Sequence, residues 1–274
     1  MLRWRFIRYM QQSKRLVYYC ATPRDKMLMV IARASHIPLH FLRRFFGYYG
    51  VGRLLPDYLL LSNICLRTPH GQFICRRFTN DFVCVVPEHE PYLQRYFGIE
   101  EGIFIDVGAH IGGYTVQVAR KLGQRGRVLA IEPDPSTFQV LRKNVILNGL
   151  KNVECINVAC SDQEGEQQFF RSPFQPGFNS FIAPLGGKPI VVKTTPLDAL
   201  VELYRATDVR LIKIDTEGAE VHVLRGSSHV LTQASPRLII EVMPHNRRMV
   251  HDLLNSTGYR VEPISGSYWF AHKP

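Results

Sequence analysis

The stretch Ile103–Thr115, IFIDVGAHIGGYT, constrains this chain more than any other. A β-forming run, Ile103–Val107, carries one acid, Asp106, near its end. It breaks into a glycine-bearing turn, Gly108–Gly113, and a helical pattern follows. Strand, glycine turn and helix start together admit a nucleotide-like ligand. Glycine lets the backbone approach closely, and the first N–H groups of a helix lack intrahelical partners. The spacing is not the G-x-G-x-x-G of dinucleotide folds; it reads Asp106-Val-Gly108-Ala109-His110-Ile-Gly112-Gly113. A carboxylate two residues ahead of the first glycine repels a phosphate and suits an ammonium or sulfonium. That chemistry points to S-adenosylmethionine rather than NAD or ATP.

From residue 103 onward β and α patterns alternate, which implies a doubly wound, mostly parallel α/β sheet with helices on both faces. Its strands are expected at Ile103–Val107, Arg127–Glu132, Val153–Val158, Arg210–Asp215 and Arg237–Val242. Tyr259–Glu262 and Tyr268–His272 are expected to close it as an antiparallel pair. The intervening helices are Gly113–Leu122, one running from Asp134 as N-cap and Pro135 to Gly149, Leu197–Arg205, about Gly218–Leu224, and Arg247–Ser256. Between the third and fourth strands lie a hairpin strand, Glu166–Arg171, an irregular Ser172–Pro189 and a β-like Ile190–Thr195. Ahead of the sheet, Tyr58–Leu66, Gln72–Phe78 and Asp81–Val86 read as a small β meander, and Pro87–Phe97 as a helix. The expected organisation is a basic helical extension over 1–53, the meander and helix over 54–98, and the main domain over 99–274.

Charge sits at one end. Residues 1–53 hold eleven Lys/Arg and one acid, Asp25, for a net charge of +10, whereas residues 54–274 hold 23 basic and 22 acidic residues. On residues 2–20 a helix would gather Leu2, Phe6, Tyr9, Met10, Leu16, Val17 and Cys20 on one face, with Arg3, Arg5, Arg8, Lys14 and Arg15 outside it. Such a helix either lies on an anionic membrane surface or packs on the domain with its arginines in water. The apolar run Met27–Phe46 is interrupted by Arg33, His36, Pro38, His40, Arg43 and Arg44, too often for a membrane span. With no clean signal peptide either, the expected location is cytoplasmic, with the inner membrane surface as an option. Six cysteines without C-x-x-C or Cys/His spacing read as reduced thiols, and no metal constellation is evident, although Asp215 and Glu241 at adjacent strand tips leave divalent assistance open.

Acids recur where open α/β sheets place their sites, at the carboxyl ends of strands. Glu132-Pro133 ends the second strand and suits ribose hydroxyls. Ser161-Asp162 follows the third, where Asp162 has an adenine amino group as one possible partner and solvent as the other. The fourth strand, LIKIDTEGAE, delivers Asp215 and Glu217, with Lys213 two residues back to pair with either. A buried strand-tip carboxylate needs partners or a task. His245 follows the fifth strand close to Glu241, and His110 lies inside the first turn. Each histidine is a candidate base or a bystander.

Together D-V-G-A-H-I-G-G-Y-T, A-I-E-P-D-P, N-V-A-C-S-D, I-K-I-D-T-E-G-A-E and L-I-I-E-V resemble the FkbM-type S-adenosylmethionine-dependent methyltransferases over roughly residues 100–243. The resemblance implies a Rossmann-like class I methyltransferase with a seven-stranded sheet that methylates hydroxyls of sugars, polyketides and related metabolites. By position it implies a cofactor site of Asp106, Gly108, Ala109, His110, Gly112, Thr115, Glu132, Pro133, Ser161 and Asp162. The methyl-transfer site would hold Asp215, with Glu217, His110 and His245 behind it as candidate catalytic groups. His110 stands where the family usually has Asn. The implied acceptor is a small-molecule, glycan or lipid-linked hydroxyl. Two other readings stay open. A nucleic-acid methyltransferase would use the basic N-terminus, but it lacks an Asn/Asp-Pro-Pro-aromatic block after the fourth strand. A non-catalytic protein on a membrane surface would keep the pocket without the chemistry.

Overall fold

The structure is a computed structural model that describes residues 15–48, 59–171 and 188–274. A long helix α1 (Pro23–Tyr48) precedes a hairpin, β1 (Ile64–Thr68) and β2 (Gly71–Cys75), and a short helix α2 (Asp81–Cys84). The main domain follows as β3 (Gly102–Val107), α3 (Gly113–Leu122), β4 (Gly126–Ile131), α4 (Pro135–Leu147), β5 (Val153–Ile156) and β6 (Ala159–Ser161). It continues as β7 (Gly165–Arg171), β8 (Lys188–Pro196), α5 (Leu197–Leu203), β9 (Val209–Ile214), α6 (Glu220–Arg225) and α7 (Ser228–Gln233). It closes with β10 (Arg237–Glu241), α8 (Arg247–Ser256), β11 (Arg260–Ser265) and β12 (Tyr268–His272).

Seven strands form one sheet in the order β11-β12-β10-β9-β3-β4-β5, and β12 alone runs antiparallel to both its neighbours. This is the class I methyltransferase arrangement. Central strands buried on both faces read as continuous apolar runs. Phe104 and Ile105 on β3, Leu129–Ile131 on β4, Leu211 and Ile212 on β9 and Leu238–Ile240 on β10 are all fully buried. The register aligns Ile105 with Leu129 on one side and Ile212 on the other, so the three strands end level. Helix α4 starts as expected: Asp134 accepts from the Ser136 N–H, Pro135 takes the first position and Gly149 follows the end at φ +63°.

The segment ahead of the sheet differs from its expected form. The meander is a two-stranded hairpin, and Asp81–Val86, expected as a strand, is helical over Asp81–Cys84. The buried apolar residues there are Phe82, Val85 and Val86, spaced i, i+3, i+4, a helical rather than an alternating pattern. Pro87–Phe97 shortens to one 3₁₀ segment, Pro91–Tyr96. The hairpin is seated on α4 by side-chain amides. Asn144 Oδ1 accepts from the Ile74 N–H at 2.7 Å, and Asn148 both accepts from and donates to the Gln72 backbone. These bonds satisfy β2 without a third strand. Of the helix expected over 2–20, residues 15–19 are helical and the rest lies outside the described residues; so does the Ser172–Pro189 connection up to residue 187.

Candidate active site

The level ends of β5, β4, β3, β9 and β10 open into one cavity of about 250 Å³. At the β4–β5 side its wall is Ile131, Glu132, Pro133, Val158, Ala159 and Cys160. Gly108–His110 cross the middle. At the β9–β10 side stand Lys213, Asp215, Thr216, Glu217, Glu241 and Tyr268. Asn80, Cys84, His89 and Glu90, all ahead of the sheet, complete it.

Gly108 cannot carry a side chain. At φ +81° its missing Cβ would lie 1.9 Å from the Asp215 carbonyl oxygen, so the β3 turn and the β9 tip meet backbone to backbone. Asp106 lies behind that turn, 1% exposed. Its Oδ2 accepts from the buried Thr115 hydroxyl at 2.6 Å, while Oδ1 has no hydrogen-bond partner. Burial raises the Asp106 pKa against the opposing charge of Lys213. Glu132 accepts from the His110 N–H at 2.9 Å on one oxygen and from the Asp134 N–H at 3.0 Å on the other. Each oxygen keeps a second lone pair for a ligand hydroxyl. Burial lifts the Glu132 carboxyl to about 8.

His110 has φ +52° and is tied to the segment ahead of the sheet. Its Nε2 lies 3.1 Å from Arg76 and 3.4 Å from Asp81, whose fully buried carboxylate is gripped by the same arginine at 2.7 and 2.9 Å. Arg76 also donates to Thr137 on α4. Burial, with the arginine adding to it, lowers His110 to about 4. The imidazole is therefore neutral at physiological pH and too weak a base to take a hydroxyl proton efficiently.

The acidic end is organised around Lys213, which is 2% exposed. Its ammonium donates to Asp215 Oδ2 at 2.7 Å and sits 5.0 Å from the centre of the Tyr114 ring. Burial opposes the lysine charge, but Asp215 and Asp106 outweigh it and its pKa rises. Tyr268 donates to the same Asp215 oxygen at 3.0 Å. Burial would raise Asp215, but Lys213 and its hydrogen bonds hold it near 2. Burial and the Asp215 charge push Glu217 to about 8 and Glu241 to about 9. Ser267 donates to Glu241 at 2.6 Å, and a Glu241 carboxylate oxygen lies within 4.8 Å of one on Asp215. One carboxylate is thus locked ionised while two hold their protons near neutrality, the usual outcome of crowded acids. Asp215, Glu217 and Glu241 place carboxylate oxygens within 4.8 Å of one another, a donor set of the kind that takes a divalent cation.

Three non-glycine residues with positive φ line this cavity: Glu90, His110 and Glu217. Such conformations cost of order 1–3 kcal/mol each and cluster at functional sites. The Glu217 turn is clamped by Glu220, which accepts from the Gly218 N–H, and by Asn246, which donates to the Gly218 carbonyl.

Of the site residues expected from sequence, Gly108, Ala109, His110, Glu132, Pro133, Asp215 and Glu217 share the cavity wall. Asp106, Gly112 and Thr115 support the turn from behind. Three others neither line the wall nor support the turn. Ser161 donates to Asp162, and Asp162 turns to His222 at 3.2 Å, leaving Ala159 and Cys160 on that stretch of wall. His245 sits exposed on a 3₁₀ turn after β10. Missing from the expectation were Glu90, Tyr114 and Tyr268; Tyr114 donates to Glu90 at 2.6 Å. Tyr114 stands next to the glycine turn and was legible there, whereas nothing local marks Glu90 or Tyr268.

A family model described as the methyltransferase FkbM domain matches residues 106–261, from Asp106 on β3 to the start of β11. The chain belongs to the FkbM methyltransferase family. Among its relatives, "Methyltransferase 1" of Beauveria bassiana is 27% identical over 184 residues, 59% of this chain and 74% of that protein. The hexuronic acid methyltransferase AglP of Haloferax volcanii is 29% identical over 143 residues, 52% of this chain and 56% of that protein. The crystal structure of methyltransferase FkbM from Methylobacillus flagellatus aligns with a TM-score of 0.47 at 16% identity, covering 69% of this chain and 48% of that one. The chain thus spans about half the length of the last two proteins.

Proposed function

We propose that this FkbM methyltransferase moves a methyl group from S-adenosylmethionine to a hydroxyl of a small metabolite, a sugar, glycolipid or polyketide alcohol. The observation that carries the reading is the pairing of two ends in one cavity: a ribose-suited carboxylate, Glu132, and a proton-holding acidic cluster, Asp215–Glu217–Glu241. The residues present fit the cofactor. Glu132 has lone pairs free for a diol, Val158–Cys160 and Ile131 offer an apolar wall to a purine, and the acids near the β3 turn suit a cationic group. Thr216, on the wall, keeps a buried hydroxyl without a partner. S-adenosylmethionine, when bound, supplies an already activated methyl on a positively charged sulfur.

The chain's own work is to position the acceptor and remove its proton. A base is most effective with a pKa near the working pH, so Glu217 and Glu241 suit the task better than Asp215 or His110. Asp215 is the fixed charge around which they are arranged, held by Lys213 and Tyr268. Nucleic acid is disfavoured as acceptor because the ionised Asp215 faces the cavity and its one lysine, Lys213, is already paired to that acid, which leaves no lysine for a phosphate backbone.

The test combines calorimetry with a turnover screen of glycans, glycolipids and polyketide alcohols read by mass shift. Glu132→Ala is expected to weaken S-adenosylmethionine binding by about tenfold or more, the loss of one or two charge-assisted hydrogen bonds. Glu241→Gln is expected to keep that affinity and lose turnover. Unchanged affinity in Glu132→Ala would sink the cofactor assignment.

A further inference from the structure

Helix α1 is apolar on two sides. Its inner side buries Leu28, Met29 and Ala32 against Leu16, Cys20, Leu60 and Leu66. Its outer side leaves Met27 59%, Val30 53%, Ile37 44%, Phe41 67% and Leu42 46% exposed. At about 100° per residue, the outward positions from Ile37 to Leu42 span an arc of about 140° that holds no charged side chain until Arg24 at its edge. Scattered surface apolar residues need no explanation, but a contiguous stripe of this size does. Exposed Lys26 flanks the stripe on its other side, and α1 lies in the segment that carries a net +10.

A second copy of the chain is a poor occupant, because a symmetric contact would bring two such charges face to face. Nor does the stripe mark a span: among the described residues no helix is long and apolar enough to cross a membrane. An apolar arc flanked by cations is the pattern of a helix that lies in the plane of an anionic bilayer.

We propose that α1 docks this protein on an anionic phospholipid surface, with the Met27–Val30–Phe41 stripe at the acyl boundary and the surrounding Lys and Arg residues at the phosphates. The sequence offered residues 2–20 for such contact as one of two readings; the next helix carries an exposed apolar face. The basic residues add attraction that salt screens, and the stripe adds attraction that salt does not.

Flotation of the full chain tests this, with vesicles of phosphatidylcholine alone and of phosphatidylcholine mixed with phosphatidylglycerol. Wild type is expected to float with the mixed vesicles and to dissociate progressively as salt rises. The variants Val30→Glu and Phe41→Glu are each expected to lose about tenfold or more in partitioning, the burial of one large apolar side chain. Both sites are exposed, so thermal melts followed by circular dichroism should match wild type. Equal flotation of variants and wild type would overturn the proposal. So would binding to neutral vesicles as strong as to anionic ones, or a dimer, seen by light scattering, that both substitutions dissolve.

Discussion

Replacing Lys213 by Met removes the cation that holds the acidic end of the cavity together. Asp215 falls from its ordinary 3.8 to about 2, chiefly because Lys213 offsets the cost of burial. At about 1.4 kcal/mol per pKa unit that shift is worth ~2 kcal/mol of folding stability. A depressed carboxylate contributes stability above its unfolded pKa and loses it as pH falls through the folded value. The contribution is therefore complete at neutrality and fades between about pH 4 and 2. The single substitution should cost more than the pair's net worth, about 3–5 kcal/mol, because it strands buried charge. Asp215→Asn should cost less, since the lysine keeps Asp106 nearby. Urea unfolding of wild type, both single variants and the double variant at neutral pH measures the coupling, expected at ~2 kcal/mol. A coupling below about 0.5 kcal/mol, the level of an exposed pair, would refute the claim that Lys213 organises this cluster.

Gly108→Ala should abolish cofactor binding and lower the melting temperature, because the new Cβ would meet the Asp215 carbonyl at 1.9 Å; calorimetry and thermal melts read both. Glu217 and Glu241 rise from 4.5 to about 8 and about 9, so their contribution is complete below about pH 4.5 and is lost as pH climbs to about 9. The melting temperature of the ligand-free protein should fall over that window, and Glu241→Gln should flatten the fall. Arg76→Ala should cost about 3–5 kcal/mol in urea unfolding, since it leaves the fully buried Asp81 without its cation. His110→Asn should leave the pH profile of turnover between about 5 and 8 unchanged, because His110 does not titrate there.

Legibility from sequence followed the range of the interactions involved. The strand tips were readable because a buried parallel strand is a local apolar run, and an acid at its end stands out: Asp106, Glu132, Asp215 and Glu241 all fell where expected. The pairing of Lys213 with one of two acids was foreseeable from its two-residue offset, and the structure selects Asp215. Asp162 turned to a histidine 60 residues away, which no local pattern reveals. Tyr268 reaches Asp215 across 53 residues and only because β12 inserts beside β10. The segment Asp81–Val86 was misread because β-branched and aromatic residues mask an i, i+3, i+4 spacing over too short a window. The outward stripe of α1 was hidden by the same residues that ruled out a membrane span, since charges scattered along a sequence can still share one side of a helix.

Asn80, Cys84, His89 and Glu90 come before the span shared with the FkbM family, and Tyr268 comes after it. The cavity is thus assembled from a common floor and a locally supplied rim. A chimera carrying a relative's counterpart of residues 59–98 on this floor should change which acceptor is methylated while donor affinity stays put, provided the exchanged segment brings partners for Asn144 and Asn148. Those two asparagines seat on α4 the hairpin from which the rim residues Asn80–Glu90 continue.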